Sequence, residues 1–410
     1  MSIVYTIIIS LYTWMIHIVS PFNDKARQWV NGRKGWEKKL KEKLMADGRS
    51  IWVHCASLGE FEQGRPVIEI LKERHPERRI IVTFFSPSGY EIMKDWPVAD
   101  HICYLPADTP WNVSRFIDII RPGIVIFIKY EFWNNYITAI HKREIPLYLV
   151  SAIFRPGQYF FRWYGGFFRK QLMKFTIIFV QDKSSCDLLL SIGIGNVLVT
   201  GDTRFDRVDQ IAESARMIPA IEKFAGDEKI FLAGSSWQAD EEIITGYINE
   251  DPGRMKWIFA PHEIDPSNIR RLESLLKVKT VRYSDDGADL AGARVMIIDN
   301  IGMLSSAYRY AFIAEVGGGF GKGIHNILEP ACWGIPVMFG PDYKKFREAV
   351  ELIALGGAFT FKSREEFYAI IEKLLSDNDL YESAALTAKG YIAANKGVSG
   401  RIVDAIINQP

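Results

Sequence analysis

Short apolar runs alternate with amphipathic stretches along the first half of the chain. Seven runs are rich in β-branched residues and continuously apolar, which predicts strands buried in a parallel sheet: SIWVHCA, RIIVTFF, HICYLP, GIVIFI, PLYLVSA, TIIFVQ and NVLVTG. Helical patterns separate most of them, near residues 62–74, 88–95, 110–120, 132–143 and 184–192. This alternation predicts a parallel sheet with helices on both faces.

The same pattern begins again in the second half, where strands are predicted at KIFLAGSS, KWIFAPH, KTVRYS, VMIIDN, FIAEVGG and IPVMFGP. Helices are predicted near residues 237–248, 266–276, 301–308, 325–333 and 343–354, and further helices over 364–408. We therefore predict an α/β protein with two doubly wound domains joined near residues 201–226. Such domains bind ligands in a cleft at the carboxyl ends of their strands.

The predicted boundaries follow from these elements. Four segments are predicted: a membrane anchor helix over residues 1–22, a Rossmann-like domain over 23–205, a second Rossmann-like domain over 206–385 and a C-terminal helix over 386–410.

One apolar run is much longer than the others. Residues 3–19, IVYTIIISLYTWMIHIV, carry no charge and nearly cross a hydrocarbon core of about 30 Å at about 1.5 Å per residue. Residues 21–49 behind it hold nine Lys and Arg against four Asp and Glu, as the positive-inside rule expects of a cytoplasmic body. A basic first segment and a good cleavage site, which a cleaved signal peptide needs, are both lacking. A membrane anchor or interfacial helix is predicted, and a soluble amphipathic helix is the alternative.

The charge distribution indicates what the protein contacts, and the cysteine spacing argues against one class of metal site. The net charge is only +1, but residues 1–200 carry +8 and residues 201–410 carry −7. A basic first half predicts contact with something anionic, such as a membrane surface, a phosphorylated lipid or nucleic acid. The four cysteines form no CxxC pair, which argues against a zinc ribbon and predicts buried free thiols in a reducing compartment.

A glycine-rich segment, EVGGGFGKGIHNILEPA, follows a strand of the second half and leads into a predicted helix near residue 325. Bare glycines let a phosphate approach the backbone, and a helix N-terminus adds partial positive charge. A carboxylate one turn later suits ribose hydroxyls. An ordinary strand–turn–helix is the alternative. The residues that we expect to bind a nucleotide here are Gly317, Gly318, Gly319, Lys322, His325, Asn326 and Glu329.

Three further loops follow strand ends. AGSSWQADEE offers Ser235 and Ser236, although helix capping alone explains much of that sequence. APHEIDPS offers His262, and GDTRFDRV at the joint offers Arg204, which we expect to be free to reach the cleft. Together with the glycine segment they outline a nucleotide site.

Six motifs, in this order, resemble those of the 3-deoxy-D-manno-octulosonic acid (Kdo) transferases of Gram-negative bacteria. They are ASLGEFEQG, KYEFWNNYI, SAIF, GDTRFDRV, AGSSWQADEE and GGGFGKGIHNILEPA, and the resemblance extends from about residue 2 to 405. It implies the glycosyltransferase B fold, with two Rossmann-like domains facing a cleft and an N-terminal membrane-associated helix. It also implies an inverting reaction in lipopolysaccharide synthesis, with CMP-Kdo as donor and the lipid A precursor lipid IVA as acceptor.

The resemblance further implies that the enzyme works at the cytoplasmic face of the inner membrane, without a metal or other cofactor and without nucleic acid. The one DxD sequence, at residues 377–379, lies far from the glycine segment, and we expect it to be solvated. Two departures stand out. Many members have an Arg beside the His after "AP", where this chain has APHEI, so His262 alone would contact phosphate there. The family varies at residues 320–322, so Lys322 as a phosphate partner is our own inference.

An inverting transfer needs a base that takes the proton of the attacking hydroxyl. Glu60 follows the first strand, and the family motif puts its base on this Glu, so we expect it to deprotonate the 6′-hydroxyl of the acceptor. The alternative is a helix-capping acid. Glu62 is the local competitor, and we expect it, rather than Glu60, on the first helical turn. Glu131 is expected to bind sugar, and Arg155 the phosphates of the lipid.

Residues 158–170, QYFFRWYGGFFRK, interleave aromatic and basic side chains, which suits a lipid or a membrane interface, with core packing as the alternative. One rival function is a membrane-associated transferase of this fold that uses another nucleotide sugar. A dinucleotide-dependent reductase would need GxGxxG after the first strand, which HCASLGEFEQG lacks. A non-catalytic membrane scaffold would have little use for an acid facing a phosphate-binding loop.

Overall fold

A computed structural model describes residues 2–44, 49–250, 253–321 and 323–408. The chain divides into two compact units: unit 1 comprises Met1–Arg207 with Gly397–Pro410, and unit 2 comprises Val208–Lys396. The sequence predicted this division two residues earlier and without the return of the C-terminal segment to unit 1.

Unit 1 contains a seven-stranded parallel sheet in the order β3-β2-β1-β4-β5-β6-β7. Its strands are β1 (Ser50–Cys55), β2 (Ile80–Phe84), β3 (His101–Tyr104), β4 (Pro122–Ile128), β5 (Leu147–Ala152), β6 (Ile177–Val180) and β7 (Val197–Val199). In the register of the sheet, Trp52 of β1 pairs with Ile81 of β2 and Val125 of β4. The strand order reverses between β1 and β4, and ligands of open α/β sheets bind at such a switch point.

Helices cover both faces of this sheet. The helices of unit 1 are α1 (Ser2–Val19), α2 (Asp24–Arg33), α3 (Trp36–Lys43), α4 (Leu58–Arg74), α5 (Pro87–Met93), α6 (Pro110–Ile120), α7 (Asn134–Lys142), α8 (Gly166–Leu172), α9 (Lys183–Ser191) and, at the other end of the chain, α19 (Val398–Ile407), and α10 (Arg204–Ser214) begins in unit 1. One apolar cluster centres on Trp52 and Phe127, and the opposite face holds Phe61 and Val150 together with Ile402 of α19. Helix α10 runs across the division between the units.

Unit 2 repeats the architecture in the order β10-β11-β9-β8-β12-β13-β14, again with every pair parallel. Its strands are β8 (Ile230–Ser236), β9 (Lys256–Pro261), β10 (Thr280–Arg282), β11 (Val295–Ile297), β12 (Ile313–Val316), β13 (Val337–Phe339) and β14 (Ala358–Thr360). Its helices are α11 (Pro219–Ala225), α12 (Gln238–Glu250), α13 (Pro266–Leu275), α14 (Leu304–Ala307), α15 (Leu328–Cys332), α16 (Arg347–Leu355), α17 (Arg364–Ser376) and α18 (Asn378–Asn395). The switch point here lies between β8 and β12.

Every strand predicted from the sequence is confirmed, and three other predictions are corrected. The short strand β14 was not predicted. The helix after the glycine segment begins at Leu328, not near residue 325. Two helices, α18 and α19, occupy the region predicted as one helix over 386–410, because Gly397 adopts a left-handed φ of +82° between them.

The predictions for the cysteines and the N-terminal segment are confirmed in part. All four thiols are free, but only Cys55 is buried and the other three are half-buried. Among the described residues, α1 is the one helix long and apolar enough to cross a membrane, by length and composition alone.

Candidate active site

The switch point of unit 1 brings two carboxylates to the same edge of its sheet. The chain leaves β1 through Ala56 and Ser57 into α4, and Glu60 lies on the first turn of that helix. The chain leaves the neighbouring β4 through Lys129 to Glu131. Because the two strands are parallel neighbours, their carboxyl ends open onto one region.

Glu60 is held at this edge by the backbone that precedes its helix. Its Oε2 atom accepts the N–H of Ala56 at 2.6 Å, so the side chain does cap the helix start. Burial, followed by the negative charge of Glu131, raises the pKa of Glu60 from 4.5 to about 7. A carboxylate with a pKa near neutrality can exchange a proton at physiological pH, so capping the helix is compatible with the chemistry expected of a base.

The helix register corrects one detail of the prediction. Because Ser57 is the N-cap of α4, the first turn carries Glu60, and Glu62 lies further along the helix. Glu62 accepts the Nε–H of Arg207 at 2.5 Å and lies 3.8 Å from Arg65. This ion-paired side chain is a poor general base, so Glu60 remains the candidate.

Glu131 is fixed by two side chains that the sequence prediction did not include. Its Oε2 atom accepts the indole N–H of Trp133 at 2.5 Å and lies 2.9 Å from Nε2 of His54. His54 is a fully buried residue of β1, and its Nδ1 atom lies 2.8 Å from the hydroxyl of Thr83, which can donate to it and so leaves Nε2 to donate to Glu131. One oxygen of Glu131 is therefore committed to two partners, which suits a binding or positioning role.

Lys129 is a further residue that sequence reasoning missed. It directly follows β4 with a left-handed φ of +62°, and Ser151 in the adjacent β5 has a φ of +58°. Non-glycine residues rarely adopt this conformation, and it concentrates at functional sites. The positive charge of Lys129 acts on Glu60 and pulls its pKa downward, against the effect of burial. Nothing in its sequence motif, KYEFWNN, indicates the backbone strain.

In unit 2, the glycine segment is built by close backbone packing at the corresponding switch point. A Cβ on Gly317 would lie 2.4 Å from the carbonyl of Ser235, and one on Gly319 would lie 2.6 Å from backbone atoms of Gly340. Gly318 has a φ of +95°. Glycine is thus required here by the fold itself, and the segment presents bare backbone at the carboxyl ends of β8 and β12.

Asp240 ties this loop to the start of α12. The side chain is fully buried, and its Oδ2 atom accepts the N–H groups of Gly318 at 3.0 Å and Trp237 at 2.9 Å. Ser236 is also buried, and its hydroxyl donates to Glu241 at 2.9 Å, so its side chain serves the core rather than a ligand. Ser235 is half-buried with a left-handed φ of +52°.

Two histidines predicted for the donor site are brought together around a tryptophan. The rings of His262 and His325 stack with centroids 4.6 Å apart, and Trp237 stacks on His262 at 4.5 Å. The indole N–H of Trp237 donates to Nε2 of His325 at 3.0 Å. Burial, with a smaller effect of His262, lowers the pKa of His325, so this ring is neutral at pH 7 and Nε2 is its acceptor.

Asn326 and Glu329 form a second pair beside the loop. The Nδ2 atom of Asn326 donates to Oε1 of Glu329 at 3.1 Å, and the hydroxyl of Ser305 donates to Oε2 at 2.6 Å. Because α15 begins only at Leu328, the residues His325 and Asn326 precede the helix rather than form its first turn. Lys322, the predicted phosphate partner, lies outside the described residues.

Comparison with known proteins decides the family. A family model described as 3-deoxy-D-manno-octulosonic-acid transferase (kdotransferase) matches residues 30–207. A 3-deoxy-D-manno-octulosonic acid transferase of Aquifex aeolicus is 30% identical over 343 residues, which are 82% of this chain and 89% of that protein. This chain belongs to the Kdo transferase family. A relative of the same description from Haemophilus influenzae is 26% identical and is matched over 87% of this chain and 86% of its own.

Solved structures agree with the fold expected of this Kdo transferase family member. The UDP-GlcNAc 2-epimerase of Neisseria meningitidis superposes with a TM-score of 0.65 at 18% identity, covering 88% of this chain and 100% of that one. MurG of Acinetobacter baumannii does so with a TM-score of 0.53 at 13% identity, with the same coverage. At these identities the likeness shows the fold, and it confirms the predicted glycosyltransferase B architecture of two parallel α/β sheets.

The two arginines predicted for the Kdo transferase site have different surroundings. Arg204 is not free, because its guanidinium pairs with Asp202 at 2.6 Å and its backbone N–H binds the same carboxylate at 2.9 Å. That correction follows from the tight GDTR turn, which sets the two residues side by side. Arg155 is exposed on the loop after β5, and its positive charge lowers the pKa of Tyr130, although burial raises that pKa more strongly.

The aromatic and basic stretch 158–170 is partly buried and partly exposed, so core packing describes some of its residues and a lipid or membrane interface suits others. Phe160 is buried, and Phe161 and Phe168 pack against the core of unit 1, as core packing predicts. Trp163 is 92% exposed and Tyr164 is also exposed, as an interface predicts. Among the described residues of this family member, no group of three or more His, Cys, Asp or Glu side chains could hold a metal ion.

Proposed function

We propose that this chain transfers Kdo from CMP-Kdo to the 6′-hydroxyl of lipid IVA, the lipid A precursor, at the cytoplasmic face of the inner membrane. The observation that carries the proposal is Glu60, a carboxyl group at the switch point of unit 1 with a pKa raised to about 7. Family membership supports the sugar that is transferred. The resemblance described above supplies the donor nucleotide and the acceptor.

In the proposed reaction, Glu60 takes the proton of the attacking hydroxyl as the new glycosidic bond forms. The anomeric carbon of Kdo loses its bond to CMP, whose phosphate carries the electron pair away. Attack on the face opposite the leaving group inverts the configuration. Glu60 is preferred to Glu131 as the base because an oxygen of Glu131 is already engaged by His54 and Trp133.

The donor is proposed to bind at the loops of unit 2. The backbone N–H of Gly319 suits the phosphate of CMP. The N–H groups of Gly317 and Gly318 already donate to Gly234 and Asp240, so these two glycines would contribute by letting the phosphate approach the backbone. The exposed ring of His262, stacked beside His325, is a second phosphate partner. Ser235 and Ser236 then contribute through their backbone, because the Ser236 hydroxyl is engaged in the core. Lys322 stays a prediction.

Asn326 and Glu329 are proposed to bind the ribose of CMP. Ser305 and Asn326 each donate a hydrogen bond to one carboxylate oxygen of Glu329 and so fix its orientation. A carboxylate fixed in this way can accept hydrogen bonds from the two neighbouring hydroxyls of a ribose. No resident metal or other cofactor is proposed, because leaving-group charge would be met by backbone N–H groups and imidazole.

The acceptor is proposed to bind at the sheet edge of unit 1. Glu131, locked by His54 and Trp133, would accept sugar hydroxyls, and Arg155 would bind an acceptor phosphate from its exposed loop. Arg204 is not proposed to bind the acceptor, because its guanidinium pairs with Asp202 in the preceding turn.

The test is transfer from freshly generated CMP-Kdo to tetraacyl lipid IVA, followed by mass spectrometry, with the parent chain and two variants. Glu60→Gln should lower the rate about 10²- to 10⁴-fold, as expected for loss of a general base. Glu62→Gln, on the same helix, is the matched control and should retain activity. The mass shift of the product counts the Kdo units added.

Three results would contradict parts of the proposal. A Glu60→Gln variant within about tenfold of the parent would place the base elsewhere, with Glu131 next. A folded parent that is inactive with CMP-Kdo would exclude this donor or acceptor. Product from UDP-GlcNAc supplied in place of CMP-Kdo would favour a transferase for another nucleotide sugar.

A further inference from the structure

Helix α1 touches the rest of unit 1 along one stripe only. None of its residues from Ser2 to Val19, all of them described, is fully buried. The half-buried positions recur every three or four residues and so share one side of the helix: Tyr5, Thr6, Ile9, Thr13 and Ile16. The remaining apolar side chains are exposed on the other sides: Ile3, Val4, Ile7, Ile8, Leu11, Tyr12, Trp14, Met15, Ile18 and Val19.

Polar bonds attach the first half of this stripe to the body. The hydroxyl of Tyr5 donates to Oδ2 of Asp108 at 2.8 Å. Asp108 is 2% exposed and also accepts the backbone N–H groups of Asn135 at 3.1 Å and Tyr136 at 3.0 Å. The side chain of Asn135 donates to the hydroxyl of Thr6 at 3.1 Å. The start of α1 is thereby fixed to a buried polar group of unit 1.

Ring contacts of two exposed residues that border the stripe attach the second half of the helix. Tyr12 stacks on Phe85 with centroids 6.5 Å apart, and His17 meets the edge of Trp29 at 6.5 Å. From Tyr5 to His17 the helix rises about 18 Å, at about 1.5 Å per residue. The contacts with the body therefore extend over most of the length of the helix.

This attachment is incompatible with a helix that crosses the bilayer. A spanning α1 would carry Asp108 and Asn135 into the hydrocarbon core, because they are bonded to its first half. Charged and polar groups are strongly disfavoured there. We infer that α1 lies in the plane of the membrane, with its attached stripe facing the protein and its exposed apolar sides embedded in the lipid.

A neighbouring segment extends the same surface and indicates its partner. Tyr5 of α1 contacts Phe167 with ring centroids 6.2 Å apart, and the loop before Phe167 exposes Trp163 and Tyr164. Exposed basic side chains, Arg162 and Lys170, flank these rings. Exposed aromatic rings beside cations suit a lipid surface with anionic headgroups.

The orientation has a consequence for the acceptor, and this consequence rests on the proposed function. The Tyr5 hydroxyl accepts the backbone N–H of Asn134 at 3.3 Å, and Asn134 directly follows Trp133, which binds Glu131. An in-plane α1 therefore holds the edge with Glu131 at headgroup depth. A lipid acceptor could present its sugar there while its acyl chains stay in the bilayer.

Two experiments on the full chain test the orientation. In the first, one epitope tag precedes residue 1, another follows residue 410, and protease is added to intact and to lysed spheroplasts. An in-plane α1 leaves both tags on the same side of the membrane, so they are cleaved under the same condition. Tags that are cleaved under different conditions would show a spanning helix and overturn the inference.

The second experiment separates membrane binding from simple packing on the protein. The parent should float with vesicles of phosphatidylethanolamine and phosphatidylglycerol, and Leu11→Glu with Met15→Glu should lower the bound fraction about tenfold or more. Val350→Glu with Leu386→Glu, two exposed apolar positions on α16 and α18, is the matched control and should still bind. An unchanged melting temperature of each variant verifies the fold.

Unchanged flotation of the α1 variant would overturn the inference. So would a vesicle-free dimer of the parent that the same substitutions convert to a monomer, because a second copy would then cover the exposed sides. Transfer activity, assayed separately in detergent, reports on the proposed function and not on the orientation, so the two can fail independently.

Discussion

At the scale of single residues, neighbouring acids are distinguished by their surroundings. Glu62 is paired with Arg207, and Glu131 is held by His54 and Trp133. Glu60 has a backbone N–H as its partner, and burial beside another carboxylate raises its pKa to about 7. The environment thus leaves Glu60 as the carboxyl group suited to the proposed proton transfer, whereas the other two are paired.

The first prediction concerns the pH dependence of the reaction. Because the base must be deprotonated, kcat/KM should rise about tenfold per pH unit below about pH 7 and level off above it. Glu131→Gln removes a negative charge that raises the pKa of Glu60, so the profile should shift to lower pH, whereas Glu62→Gln should leave it in place. A profile that is flat between about pH 5 and pH 8 would exclude Glu60 as the titrating base.

The second prediction concerns stability. The pKa of Glu60 is raised in the folded state from 4.5 to about 7, so its contribution to the free energy of unfolding is largest below about pH 4.5 and is lost as the pH rises through about 7. Glu60→Gln keeps the shape without the buried charge. The variant should therefore melt near the parent temperature at about pH 4 and above it at about pH 8, as measured by calorimetry. A variant that melts below the parent at the higher pH would contradict this account.

At the scale of elements, the glycine segment shows how strand ends make a site. Gly319 lies against the backbone of Gly340, where the chains leaving β12 and β13 run side by side. Asp240 at the start of α12 accepts the N–H of Gly318, the preceding residue of the same loop. The segment is shaped by packing against its neighbours, and this packing leaves room only for glycine at residues 317 and 319.

The third prediction tests this packing. Gly319→Ala places a Cβ 2.6 Å from backbone atoms and should lower the free energy of unfolding by about 1–3 kcal/mol, with weaker binding of CMP. Gly321→Ala is the matched control, because its Cβ would meet open space among the described residues. Thermal melting and calorimetric titration with CMP measure both effects. Equal behaviour of the two variants would contradict the packing role.

At the scale of the whole molecule, the chain returns to unit 1 after completing unit 2. Helix α19 buries Val398, Ile402, Val403 and Ile406 against Phe61 and its neighbours in unit 1. Lys396, the residue before the return, still pairs with Asp209 of unit 2 at 2.8 Å. The end of the sequence is thus part of the core behind the helix that carries Glu60.

The fourth prediction follows from that return. Ile402→Ala should destabilise unit 1 by about 2–5 kcal/mol, because it opens a cavity beneath α4. Hydrogen exchange should then be faster in α4 and unchanged in α12. Asp404→Ala, which removes an exposed ion pair with Arg74, is the control and should cost about 1 kcal/mol or less. Faster exchange in unit 2 alone would contradict the assignment of α19.

Local patterns in the sequence predict every described strand except β14, the two α/β domains, the family and most of the candidate residues. These follow from local patterns, because buried parallel strands read as continuous apolar runs and the six motifs are contiguous stretches of chain. Glu60, His262 and the three glycines could be named for the same reason.

The folded chain sets which of these residues meet and in what state. His54 and Thr83 come from different strands yet fix Glu131, and the raised pKa of Glu60 depends on burial that no local pattern encodes. The left-handed Lys129, the pairing of Arg204 with Asp202 and the attachment of α1 to Asp108 also depend on the folded backbone. Apolar patterning is local along the chain, whereas desolvation and hydrogen-bond partners are set by residues far apart in sequence.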